Sequence, residues 1–388
     1  MTSVTQKTLP KKRPYYLNPF EGRAKRVRLS GLFLFDPEVS MRLQGMTLRG
    51  TFVEMGEESL FKGLERAGQT GELSHGLKAR LLRRMPPSIA SAMSAAFDAP
   101  DDPSTEMAQM GMWEAHLMAV FCDDNGDQTP WPASAQFILN VERASRNATI
   151  LCQESQFQAA AEYLADHHLL KHFMSPEVLQ GIAHPPDENE MLALRLSVAL
   201  EVWLSLLAIW DLEAKPDRGA DEPSYLEHLL PSESSKTKNT VALLFDWLLS
   251  TAKIATPAAL LKDKRLGQFS VDPQTLGAWS RGTNFPSTTY RTEIAKRLLS
   301  TEDAVTFERL CAAARQLNFL GYMAQELERV LGAPEGARAE QRKLFGLSLP
   351  FGHDTIEAWM RSRYPVWLLF HRKTLDKQNV APAAPVGA

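Results

Sequence analysis

Residues 191–210, MLALRLSVALEVWLSLLAIW, constrain the fold of this chain more than any other stretch. At helical spacing Leu194, Val198, Val202, Leu206 and Ile209 make one stripe, while Leu192, Leu196, Leu200, Trp203 and Trp210 cover much of the remaining circumference. A helix that is apolar on most sides must be surrounded, by other helices or by lipid. Arg195 and Glu201 interrupt the run, and a charge at the centre of a bilayer costs about 2.5–3.5 kcal/mol even on the lenient scale. The expectation is a central core helix from Glu190 to about Leu212, with no membrane partner. Leu, Ala, Glu, Arg and Met are plentiful around it and β-branched runs are scarce, which predicts a mainly α, multi-helix chain.

With 388 residues the chain is long enough for two or three domains, each with its own core. Residues 213–239 fall in apolar content and carry clusters of Pro, Asp, Ser and Lys, the composition of a linker. They divide an N-terminal helical domain, 31–212, from a C-terminal helical domain, 240–375, with a tail at 376–388. The best strand signals, LSGLFLF and TLRGTFVEM, predict a small β-hairpin near residues 29–55. At the other end TIEAWMRSRYPVWLLFHRK predicts a helix broken at Pro365, its Trp359, Tyr364, Trp367 and Phe370 docking into a core.

Several chemistries lose support. Cys122, Cys152 and Cys311 are few, far apart and odd in number, so neither a disulfide scaffold nor a cysteine zinc site is expected. They read as cytosolic thiols, and the N-terminus lacks the continuous apolar region of a secretory signal, so a cytoplasmic location is expected. Asp123, Asp124, Asn125 and Asp127 lack the register of a calcium loop. His168 and His172, four apart, could share one helix face as metal ligands do, but no third ligand accompanies them, and a His-rich helix end is the preferred reading. No metal or cofactor is therefore expected. No P-loop, GxGxxG, GxSxG or HExxH motif occurs, so no catalytic residue is assigned. A site assembled from distant residues stays as an alternative, because triads are defined by geometry.

Charge is distributed unevenly. Residues 1–30 hold eight basic residues against Glu21 alone, a net of +7 that leaves −10 for the rest of a chain whose total is −3. Within this segment Lys11, Lys12, Arg13, Lys25 and Arg26 lie among Tyr15, Tyr16 and Phe20, with too little apolar content for a core. An arm of this kind suits phosphate, since each neutralising contact releases counterions; the competing reading is a solubilising tail.

The second basic zone lies between Lys262 and Arg297, with seven basic and three acidic residues, a net of +4. Inside it Asp272-Pro273 is a helix start: the Asp side chain accepts from free first-turn amides, and Pro at the first position lacks only a donor that would be orphaned anyway. Leu276 and Trp279 share a face, Gly282 arrives where a left-handed residue would end the helix, and Phe285-Pro286 is an extended step before a second amphipathic helix with Ile294, Leu298 and Leu299. The run TLGAWSRGTNFPS followed by EIAKRLL resembles the helix-turn-helix of phage repressors, over roughly residues 256–299. The resemblance implies a recognition helix from Pro273 to Ser280, with Leu276 and Trp279 as core anchors and Gln274, Thr275 and Ala278 toward a groove. It places Arg281, Thr283 and Asn284 near phosphate, and TVALLFDWLLSTAKI and TPAALLKDKRL as the two preceding helices. Leu260-Leu261 sits farther from Leu276 than the family's helix-two pair does, so LKDKRLGQFSVD must hold an extended turn or a shifted second helix. The function implied is binding of double-stranded DNA by a regulator or accessory factor; the alternatives are a helical interaction or scaffold protein, or an enzyme without a recognisable motif.

Overall fold

A computed structural model describes residues 29–43, 48–54, 56–70, 73–83, 90–91, 93–95, 111–121, 131–185, 188–214, 224–230, 238–267, 269–330 and 356–380. The chain is mainly α. Strands β1 (Leu29–Ser30) and β2 (Leu34–Phe35) precede helices α1 (Pro37–Leu43), α2 (Leu48–Glu54), α3 (Glu58–Thr70), α4 (His75–Leu82) and α5 (Met112–Phe121). There follow α6 (Ala133–Gln153), α7 (Phe157–Asp166), α8 (Pro176–Ala183), α9 (Glu188–Ala214), α10 (Thr240–Thr251), α11 (Pro257–Leu260), α12 (Pro273–Ser280), α13 (Thr288–Leu298), α14 (Thr301–Val330) and α15 (Ile356–Val380). The chain divides into two compact units: one takes Pro19–Ala220 and Met323–Ala388, the other Met1–Asn18 and Asp221–Tyr322.

In the larger unit α9 is the core helix that its composition demands. Its window from Met191 is long and apolar enough to cross a membrane, yet most of that window is buried by protein. Leu194, Val198, Leu200, Trp203 and Leu207 are all 4% exposed or less, although they point in different directions around the axis. Helix α9 packs on α6, α8 and α15. The hairpin is smaller than expected: β1 and β2 pair antiparallel, Leu29 with Phe35 and Ser30 with Leu34, around Gly31 at φ 63°. It works as a plug, with Phe33, Leu34 and Phe35 buried, Phe35 edge-on to Trp203, and its carbonyl accepting from the Trp113 indole at 2.7 Å. Arg195, a charge within the apolar run, ties this plug down by donating to the carbonyls of Gly31 and Leu32.

The second strand signal is overturned, because LRGTFVE forms α2. Leu48 and Phe52 are four apart, a helical spacing that overrides the alternation, and Phe52 is buried with Leu60 and Leu81 in a small core of its own. The expected break at Pro365 is also absent. Proline removes one N–H from the ladder, but Pro365 faces outward, and on either side Tyr364 and Trp367 are fixed to α9. The helix then continues to Val380, into the stretch expected to be a tail.

These anchors also correct the domain boundaries. Residues 356–375, expected in the C-terminal domain, belong with 19–220, because α15 lies along α9 and meets its polar stripe. The buried Glu201 carboxylate accepts from the Trp359 and Trp367 indoles, each at 2.7 Å, and from Arg363 at 2.6 Å. Buried Asp211 accepts from the Tyr364 hydroxyl, and Ser205 Oγ meets His371 Nε2 at 2.8 Å. Burial drives the His371 imidazole down to about 4, so it is neutral at pH 7. Elsewhere in the unit Glu142 caps the N-terminus of α5 from α6, accepting from the amides of Trp113 and Glu114 at 2.8 Å each. Burial pushes its carboxyl up, against the pull of those two amides.

The smaller unit packs α10 against α12 and against the 3₁₀ turn Glu227–Leu229. Part of the expected linker is thus core, since Leu226 and Leu229 are fully buried. In α14 Phe307, Leu310 and Leu317 are buried, Phe307 lies parallel to Trp247, and burial pushes the Cys311 thiol up to about 12, which makes it inert.

Candidate nucleic-acid interface

The helix proposed for recognition forms where its end signals place it. Asp272 accepts from the amide of Thr275 at 2.9 Å, Pro273 is the first helical residue, and α12 ends at Ser280. The C-terminus closes with paired bonds, Thr283 N–H to the Ala278 carbonyl and Gly282 N–H to the Trp279 carbonyl, both at 2.9 Å. This is the Schellman arrangement, and it requires the left-handed residue that Gly282 supplies at φ 68°.

Gly282 has a second reason to be glycine. Asn239 caps α10 by accepting from the amide of Ala242 at 3.0 Å, and its own amide donates to the Gly282 carbonyl at 2.9 Å. A Cβ on Gly282 would come within 1.9 Å of the Asn239 Oδ1. The end of α12 is therefore latched to the start of α10. Sequence reasoning missed this latch; its one local signal is an Asn just before an apolar helix, a capping residue.

Leu276 and Trp279 face inward at 2% and 1% exposure, Trp279 edge-on to both Phe245 and Tyr290. That burial turns the other side of α12 outward. Gln274 is exposed, and Thr275 and Ala278 are half-buried. Arg281 is exposed and folds back along the helix: its Nη1 lies 3.0 Å from where a Gly277 side chain would begin. Thr283 and Asn284 are exposed, but both also hold the turn, Thr283 Oγ1 donating to the Ala278 carbonyl and Asn284 Oδ1 accepting from the Phe285 amide.

The basic zone sorts into held and open cations. Arg265 is held by Asp263, Arg291 by Glu308, and Arg297 by Glu293. Arg265 also donates to the Ala252 carbonyl at 2.8 Å, and Phe285 sits beneath the guanidinium groups of both Arg291 and Arg315. Lys262, Lys264, Arg281 and Lys296 are exposed, with no ion pair among the described residues. Among the described residues from Lys262 to Arg297 the one exposed acid is Asp272, the cap of α12.

One part of the expected motif is remodelled. Helix α11 is a single turn started by Thr256 and Pro257, and residues 261–272 separate it from α12. A DNA-binding helix-turn-helix joins its two helices with a turn of about 3–4 residues. Here Asp263 captures the amide of Arg265 at 2.9 Å and starts a 3₁₀ turn, Lys264–Leu266, which Gly267 ends at φ 59°. Leu266 and Val271 are buried, so the long connection is itself packed.

The remaining expectations lie elsewhere. Lys11, Lys12, Arg13, Lys25 and Arg26 fall outside the described residues, as do Asp123, Asp124, Asn125 and Asp127. His168 and His172 do not share a helix face, because α7 stops at Asp166 and His172 lies in a 3₁₀ turn, Leu170–Phe173. The helix stops there because the His167 ring nitrogen accepts from the amides of Leu169 and Leu170, redirecting the backbone. Among the described residues no group of three His, Cys, Asp or Glu side chains is placed to hold a metal ion. No protein-family model, curated protein or solved structure matches the chain.

Proposed function

We propose that this protein binds double-stranded DNA, as a regulator or accessory factor acting in the cytoplasm, by presenting the outer face of α12 to a groove. The observation that carries the reading is the orientation of that helix: Leu276 and Trp279 anchor it while Gln274 and Arg281 stand exposed on a rigid, doubly capped element. Gln274 has the amide that suits an adenine edge, and Arg281 the fork that suits guanine or phosphate. Lys262, Lys264 and Lys296 supply further phosphate contacts, and the basic segment at Lys11, Lys12, Arg13, Lys25 and Arg26 adds more. The twelve-residue connection, 261–272, favours a second reading, in which the same face of a helical scaffold docks against another protein.

The deciding experiment is a titration of the full chain with labelled duplex DNA across a salt series. The DNA reading expects binding that weakens steeply between about 50 and 200 mM salt, with a log–log slope near −0.9 for each phosphate neutralised. Absence of binding at the lowest salt transfers the face to the scaffold reading.

A further inference from the structure

We propose that a cavity in the larger unit, between α6, the turn that follows α7, α9 and α15, is a binding site for a small uncharged nitrogen heterocycle of purine size. The cavity has a volume of about 380 Å³ and is walled by Phe137, Leu169, Ile209 and Phe370. Pockets for small ligands run from about 300 to 1,000 Å³, mostly apolar with a few convergent polar groups. This one fits that description, and none of its lining residues is Asp, Glu, Lys or Arg. A cationic ligand would find no carboxylate there, and an anion only the His168 imidazole, whereas a neutral ring would exchange water for apolar and aromatic walls.

The polar side chains among the lining residues are Gln136, Asn140, His168, His371 and Thr374. His371 lines the cavity yet is only 5% exposed, and its ring is fixed by the Ser205 bond and by edge-on contact with Phe137. Its Nε2 is engaged by Ser205, and among the described residues Nδ1 has no hydrogen-bond partner. Since burial keeps the imidazole neutral, that nitrogen offers a single hydrogen bond without charge. One turn apart on α6, Gln136 and Asn140 also line the cavity. Gln136 donates to the Trp131 carbonyl at 2.8 Å, which steadies its amide, and the exposed Asn140 amide has no partner among the described residues. A free carboxamide presents donor and acceptor side by side, the pattern that pairs with adjacent acceptor and donor atoms on a purine edge. This site involves none of the residues assigned to DNA, so the two proposals stand or fall separately.

The test is titration of the full chain with adenine, followed by calorimetry or ligand-observed NMR, with indole as a ring of similar size lacking the paired edge. Adenine should bind with a Kd below about 1 mM, and indole about tenfold more weakly or worse. Asn140→Leu, at an exposed position, should leave the fold intact and weaken adenine at least about tenfold. Ala133→Trp should fill the cavity and abolish binding. The proposal is overturned if adenine does not bind, if indole binds as well as adenine, or if folded Asn140→Leu retains wild-type affinity for adenine.

Discussion

The seam between α9 and α15 and the outer face of α12 both carry polar side chains, and they use them in opposite ways. In the seam Glu201, Ser205 and Asp211 are 1% exposed or less, and each is engaged by a residue of α15. A buried polar group left unsatisfied costs about 1–3 kcal/mol, so those partners are what the fold requires of the site. Around α12 the polar groups Gln274, Arg281, Lys262, Lys264 and Lys296 are exposed, and the fold asks little of them. What folding needs there is supplied by Asp272, Gly282, Leu276 and Trp279. The contrast separates residues that hold the molecule together from residues held out by it, and the second kind is the one that points to a macromolecular partner.

The strongest way to break this contrast is at Glu201. Glu201→Ala leaves two buried indole N–H groups and the half-buried Arg363 guanidinium without their acceptor, and at about 1–3 kcal/mol for each buried unsatisfied group the loss should be about 2–5 kcal/mol. Denaturant unfolding followed by tryptophan fluorescence should show the loss, while the DNA affinity of the protein that remains folded should not change.

Acid probes the same seam through His371. The folded protein takes up a proton there only near pH 4, whereas the unfolded chain does so near 6.5. Below pH 6.5 the unfolded state therefore binds more protons, and stability falls by about 1.4 kcal/mol per pH unit down to about pH 4, about 3 kcal/mol in all. Above pH 6.5 this contribution is fully present. Unfolding curves at successive pH values should show that slope, and His371→Gln should remove it.

A smaller effect joins the two regions of the comparison, because Gly282 belongs to the fold and also fixes the end of α12. Gly282→Ala places a side chain in the left-handed region, at about 1–2 kcal/mol, and drives it into Asn239. Stability and DNA affinity should fall together in this variant, measured by thermal melting and by titration with duplex DNA.

Much of α12 was legible because its signals are local. Asp272-Pro273, the Leu276–Trp279 spacing and Gly282 each act within a few residues of themselves, and the structure honours each one. The central position of α9 was legible for a related reason, since an all-round apolar helix has few places to go. The seam was not legible, because Glu201 meets Trp359 and Trp367 across more than 150 residues and nothing near either partner announces the other. Pro365 and the strand-like TLRGTFVEM misled in the same way: packing of Tyr364, Trp367 and Phe52 overrode local preference. The Asn239 latch likewise depends on a bond made across the unit, from Asn239 to Gly282.

The most direct test of the central claim is the double variant Gln274→Ala, Arg281→Ala, compared with the wild-type chain for melting temperature and for affinity to duplex DNA. Each base-reading contact is worth about 1–3 kcal/mol, so affinity should fall at least about tenfold with melting unchanged, because neither side chain is buried. DNA affinity equal to that of the wild type, in a variant that melts normally, would contradict the assignment of this face.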